Sequence, residues 1–255
     1  VVTCALSGEN KIFDGAFDWS DLGYSREHTY AHSWMPSWPA DEPHPGKAEY
    51  NDYHNLYPAN LNQANTPRSN LPLGNVTGTV NFNYLGGTVG QNDEGAMVYE
   101  PRAEHRGNAA RAMLYMAVAY NMVDGDNWAL PSNQDQDVMK AWHFADLPDN
   151  YEIARQEKIF SIQNNRNPFV DSIEYVCHID FSDMTYLSDT DGCEAGTQSI
   201  QESDLNRLVS VFPVPTSNEL FVAINELVPG LTIQIKDVQG RVINEVRNSE
   251  LYYQF

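Results

Sequence analysis

Residues 108–120 read Asn-Ala-Ala-Arg-Ala-Met-Leu-Tyr-Met-Ala-Val-Ala-Tyr, a helical stretch with apolar side chains on more than one face. Alanine, leucine and methionine favour helix, and a helix without a polar side must be covered by the rest of the chain. Shorter helices are expected over 135–143 and over 150–162, the latter capped by Asn150 with Glu152 in its first turn. Around them, the first 171 residues are rich in Trp, Tyr, His, Asn and Pro, with frequent turn signals. A chain of 255 residues has room for one such domain and a smaller module. It contains no run of eighteen or more apolar residues, so no membrane span is expected.

The character changes after Cys177. Asp, Ser, Thr, Gly and Glu dominate residues 178–206, which read as a linker. From 207 the pattern is that of strands: Leu231, Ile233 and Ile235 alternate with Thr232, Gln234 and Lys236, and Asp237-Val-Gln-Gly240 marks a hairpin turn. The expected organisation is therefore a domain over 1–177, a linker over 178–206 and a small β module over 207–255. Cys177 and Cys193 are spaced to close one loop, with Cys4 left over; three reduced thiols are the alternative.

The chemistry-bearing residues cluster in a short stretch. Arg26-Glu27-His28-Thr29-Tyr30-Ala31-His32-Ser33-Trp34 is followed by Asp52-Tyr53-His54-Asn55-Leu56-Tyr57-Pro58 and by Asn65-Thr66-Pro67-Arg68-Ser69-Asn70. Hydrolysis of a phosphodiester needs a base, a hard cation and oxygen ligands that hold the cation yet leave it open. His28 offers the base, and Glu27 and Asn65 offer oxygen ligands for such a cation. The net charge of -20 has the wrong sign for binding by phosphate neutralisation. However, ten arginines outnumber five lysines, and Arg26, Arg68, Arg102, Arg106 and Arg111 all fall in or beside the motifs. Arginine is the better bidentate phosphate ligand, so a locally positive cleft on an acidic surface is expected.

These motifs resemble the endonuclease I family of the ββα-metal (His-Me finger) nucleases over about residues 20–175. Tyr99-Glu100-Pro101, Arg106-Gly107-Asn108-Ala109-Ala110-Arg111-Ala112, Ala141-Trp142-His143 and Gln163-Asn164-Asn165-Arg166-Asn167-Pro168 follow in the family's order. The resemblance implies an α+β fold: a ββα-metal nuclease core with surrounding helices. Its first strand would be 24–29, its second 53–57 and its short helix 59–65. It further implies His28 as general base and Glu27 and Asn65 as ligands of one Mg2+, with Ca2+ or Mn2+ as alternatives. The segment from His54 to Arg68 is one residue longer than in the family, which puts Asn62 in competition with Asn65. Asn55 and His54 would support the site. Arg68, Arg102 and Arg106 would contact substrate, and Arg111 would be structural. The implied activity is nonspecific endonucleolytic cleavage of DNA, possibly RNA, leaving 5′-phosphates, by a secreted or cell-surface monomer. Two rival readings are a catalytically silent nucleic-acid or surface-binding protein and a zinc hydrolase using His28 and His32. Separately, Phe212-Pro-Val-Pro-Thr-Ser-Asn-Glu-Leu220 and Asp237-Val-Gln-Gly-Arg241 resemble the sorting domain recognised by the type IX secretion machinery. That implies a β-sandwich-like module, here expected to be truncated.

Overall fold

The computed structural model describes residues 1–12, 23–36, 46–187 and 193, and five strands further on. It divides into two units, Val1–Gly196 and Thr197–Phe255. Of the second unit, two antiparallel sheets are described. One joins Val209–Phe212, Phe221–Ile224 and Tyr252–Gln254, and the other pairs Thr232–Lys236 with Val242–Arg247. Thr232–Lys236 is the strand marked by alternation in the sequence. The turn at 237–240 and all but Phe212 of the 212–220 motif lie outside the described residues.

In the first unit, β1 (Val2–Thr3) pairs with β2 (Asn10–Lys11), and β3 (Tyr24–His28) with β4 (Leu56–Asn60), both antiparallel. The second pair joins Tyr24 to Asn60 at one end and His28 to Leu56 at the other. Between them lies the one-turn helix α1 (Ala48–Asn51). β4 starts later than the expected 53–57. Residues 52–55 form a turn instead, in which Asp52 Oδ1 accepts from His54 N and Asp52 O from Asn55 N. After β4 the chain winds through a π-helical turn, Leu61–Asn65, into α2 (Thr66–Arg68). A meander follows, with β5 (Val80–Tyr84), β6 (Gly87–Gln91) and β7 (Met97–Glu100).

The apolar helix is α3 (Arg106–Tyr120), and every residue from 107 to 117 is buried, as a helix without a polar face requires. α4 (Gln136–Ala145) packs on it. The close approach explains Gly107: a Cβ there would meet Asp146 O at 1.9 Å. α5 (Asn150–Gln163) is tied to α3 by a buried ion pair, with Arg111 Nε 2.8 Å from Glu152 Oε1. Arg111 is thus structural, as the sequence suggests. The cap of α5 is Asp149 rather than Asn150, its carboxylate accepting from Glu152 N at 2.7 Å.

After α6 (Pro168–Asp171), the segment read as the start of a linker belongs to the first unit. β8 (Ile179–Asp180) pairs with β9 (Thr185–Tyr186), and Phe181 is fully buried against Phe169. The polar residues here make the hairpin turn, where Asp180 accepts from Ser182, rather than a solvated tether. Cys177 and Cys193 form a disulfide, and Cys4 is free and buried.

Candidate active site

The β3–β4 pair carries two adjacent buried side chains on β3, Glu27 at 3% and His28 at 8% exposure. His28 Nε2 lies 2.8 Å from the backbone carbonyl of Tyr50 in α1. A carbonyl can only accept, so Nε2 carries the proton and Nδ1 keeps its lone pair. Burial moves the imidazole down to about 4 against that hydrogen bond, with smaller contributions from His32, Arg26 and Arg68. At neutral pH His28 is therefore uncharged and able to accept a proton.

Glu27 faces Arg68, the last residue of α2, with Oε1 2.8 Å from Nη1. Arg68 is 1% exposed and also donates to the carbonyls of His28 (3.0 Å) and Thr29 (2.6 Å). Even so, burial pushes the Glu27 carboxyl up to about 7, outweighing the attraction of Arg68. Oε1 is buried and finds no aligned hydrogen-bond donor despite the short ion-pair distance. Arg68 is its ion-pair partner but does not offset the cost of burying the charge.

Asn65 reaches the same place through the π turn. Asn60 caps that turn, its side-chain oxygen accepting from Asn62 N and Gln63 N at 3.0 Å each. A π turn accommodates one more residue than an α turn. Asn65 lines the cavity with Glu27 and His28, whereas Asn62 is exposed and is not among the residues that line it. Both hydrogen bonds of the Asn65 side chain use Nδ2, to Ser25 Oγ (2.8 Å) and Arg26 O (3.5 Å), so Oδ1 takes part in neither. The cavity measures about 490 Å³, with Ser69 and Asn70 on its rim. Ser69 holds a φ of 50°, a strained conformation for a non-glycine residue, at the turn that ends α2.

Of the other expected site residues, Arg68 borders the cavity and the rest lie elsewhere. Arg68 is 1% exposed, held as the partner of Glu27 and by the two backbone carbonyls at the β3 end. Arg102 donates to Ala5 O (2.9 Å) and pairs with Glu104, and Arg106 pairs with Glu100 at 2.7 Å; neither lines the cavity. Asn55 is fully buried and brackets Tyr30, accepting from its N (2.7 Å) and donating to its O (3.1 Å), so it fixes the chain just beyond His28. His54 packs on Tyr115 and lies 3.4 Å from Asn165 O, outside the cavity. Its neighbour Asp52 accepts from Tyr115, Tyr120 and Gln163 and anchors the end of α1.

Arg26, exposed on the cavity wall, is the cation the sequence reading passed over as a site residue. Strand alternation beside a buried Glu27 was the available signal. With Arg68 it gives the lining two guanidinium groups against one carboxylate, so the cleft is locally positive. The His28 and His32 rings are 5.6 Å apart and edge-on. Among the described residues no group of three or more His, Cys, Asp and Glu is placed to hold a metal, and zinc prefers such a set.

The endonuclease I family's sequence model matches residues 5–174, which include the whole of this site. The chain belongs to the endonuclease I family. It is 31% identical over 167 residues to an extracellular ribonuclease of Bacillus subtilis (strain 168), covering 61% of this chain and 54% of that protein. It is also 31% identical over 120 residues to an extracellular deoxyribonuclease of Aeromonas hydrophila (47% and 49%), and 30% identical over 128 to a periplasmic deoxyribonuclease of the same organism (49% and 50%). The chain thus spans about half the length of these relatives.

Proposed function

We propose that this chain is a secreted endonuclease that hydrolyses phosphodiester bonds in DNA or RNA. The observation that carries the reading is the convergence of Glu27, His28 and Asn65 on one open cavity. The relatives named above supply the extracellular setting and both nucleic acids as substrates. No described helix is long and apolar enough to cross a membrane.

The residues fit a hard divalent cation. Glu27 offers a buried oxygen without an aligned donor, and Asn65 Oδ1 is the second ligand, with room beside them for water and phosphate oxygens. Magnesium, with calcium or manganese as substitutes, would when bound supply the positive charge that offsets charge building on the phosphate. Arg68 holds Glu27 in place. His28, held by Tyr50 O, takes the proton of an attacking water through Nδ1 as water adds to phosphorus; the P–O3′ bond breaks, the 3′-oxygen leaves with a proton from solvent water, and the product carries a 5′-phosphate. Arg26 on the wall draws the phosphate in. The β module from about 207 engages a secretion machinery of the type IX kind, and the nuclease acts as a monomer.

The test is plasmid nicking by the full chain after chelation and dialysis. Restoration of nicking by Mg2+, Mn2+ or Ca2+ is expected. Activity that returns with zinc alone, or persists without any divalent ion, would refute the ligand assignment.

A further inference from the structure

Ser33 and Asn70 stand on the rim of the Glu27–His28 cavity, Asn70 Nδ2 lying 3.5 Å from Ser33 Oγ. Asn70 also lines a neighbouring groove of about 600 Å³, with Trp34, Asn92, Glu94, Asn133 and Asp135. The two spaces therefore share a wall. Trp34 is half-buried: Tyr30 meets it edge-on at 5.8 Å and the Arg68 guanidinium lies 5.3 Å from its ring centre, yet it still borders the groove. Among the described lining residues there is neither Lys nor Arg. A groove of this composition does not follow a phosphate backbone, which needs cations. An indole beside carboxamides and carboxylates suits a nucleobase, which stacks on the ring while its exocyclic amino groups donate to the oxygens.

We infer that this groove is a base-binding subsite for the nucleotide next to the scissile phosphate, and that it makes the chain prefer single-stranded nucleic acid. The inference rests on the endonuclease reading above. A base inside a duplex reaches such a groove only after leaving its stack, a penalty of a few kcal/mol that a single strand escapes. DNA and RNA both present the required base.

The experiment measures kcat/KM of the full chain with Mg2+ on single-stranded DNA, single-stranded RNA and duplex DNA of one sequence. The wild type is expected to favour single strands over duplex by about ten-fold or more, since stacking on one aromatic ring is worth roughly 1–3 kcal/mol. Trp34→Ala should bring the ratio close to unity, and Trp34→Phe should keep most of it. Asn133→Ala, at an exposed position, should lower the ratio for adenine- and cytosine-rich strands more than for thymine-rich ones, and it carries the test if Trp34→Ala fails to fold. A drop in only one polymer assigns the groove to that polymer. Equal rates on duplex and single strand in the wild type, or a ratio unmoved by both alanine variants, overturns the subsite and leaves the endonuclease reading standing. A wild type that cuts none of the three overturns that reading, and the subsite with it.

Discussion

Replacing Arg68 by Met should destabilise the first unit by about 4 kcal/mol, the range for breaking a buried ion pair by removal of one partner. The structure shows why. The 1%-exposed guanidinium lies 2.8 Å from Glu27 Oε1 and donates to the carbonyls of His28 and Thr29. Met fills a similar volume but leaves a buried carboxylate and two carbonyls without a partner, each orphaned group costing about 1–3 kcal/mol. Glu27 limits the loss by taking a proton, since its carboxyl already sits at about 7. For a unit of this size, 4 kcal/mol corresponds to roughly 10 °C in Tm. The assay is thermal and urea unfolding followed by tryptophan fluorescence in Arg68→Met, Glu27→Gln and the double variant. The double variant should recover about 2 kcal/mol relative to the sum of the single changes, because the uncompensated charge is gone. Additivity of the two changes to within about 0.5 kcal/mol would refute the pairing as the reason Arg68 is buried.

Asn65→Ala should raise the Mg2+ concentration needed for half-maximal nicking well above that of Asn62→Ala, because only Asn65 lines the cavity; a metal titration of both variants checks this, and the reverse order moves the ligand. His105 and His143 are buried and held down to about 3 by desolvation, so each stays neutral in the folded chain while the unfolded chain protonates near 6.5. Their contribution is complete above about pH 6.5 and is lost as pH falls toward 3, amounting to about 2 kcal/mol per histidine between roughly pH 7 and 5. Urea unfolding at the two pH values should show that much less acid sensitivity in His143→Gln. A chain ending at residue 196 should nick plasmid at a rate comparable with the full chain, since every cavity residue lies in the first unit; a folded but inactive truncation would show that the β module takes part.

Much of the fold was legible in the sequence because its signals are local. The apolar pattern of residues 108–120 specifies a buried helix, and the family resemblance groups Glu27, His28 and Asn65, which line one cavity. What the sequence concealed depends on partners far along the chain. Arg68, Arg102 and Arg106 look alike as motif arginines, but a carboxylate at 27, a carbonyl at Ala5 and a carboxylate at 100 decide their roles. Asn65 rather than Asn62 lines the cavity at the end of a π turn, a geometry that composition does not reveal. Residues 178–187 are polar enough to read as a linker, yet one buried ring, Phe181, holds them to the domain.

The central claim is that His28 removes the proton from the attacking water. Nicking of supercoiled plasmid by the wild type and by His28→Ala at saturating Mg2+ tests it, with circular dichroism to verify the fold. The account predicts a loss of about 10²- to 10⁴-fold in rate with folding and DNA binding retained. A folded His28→Ala chain that keeps more than about half of the wild-type rate contradicts it, since general-base loss has a far larger effect.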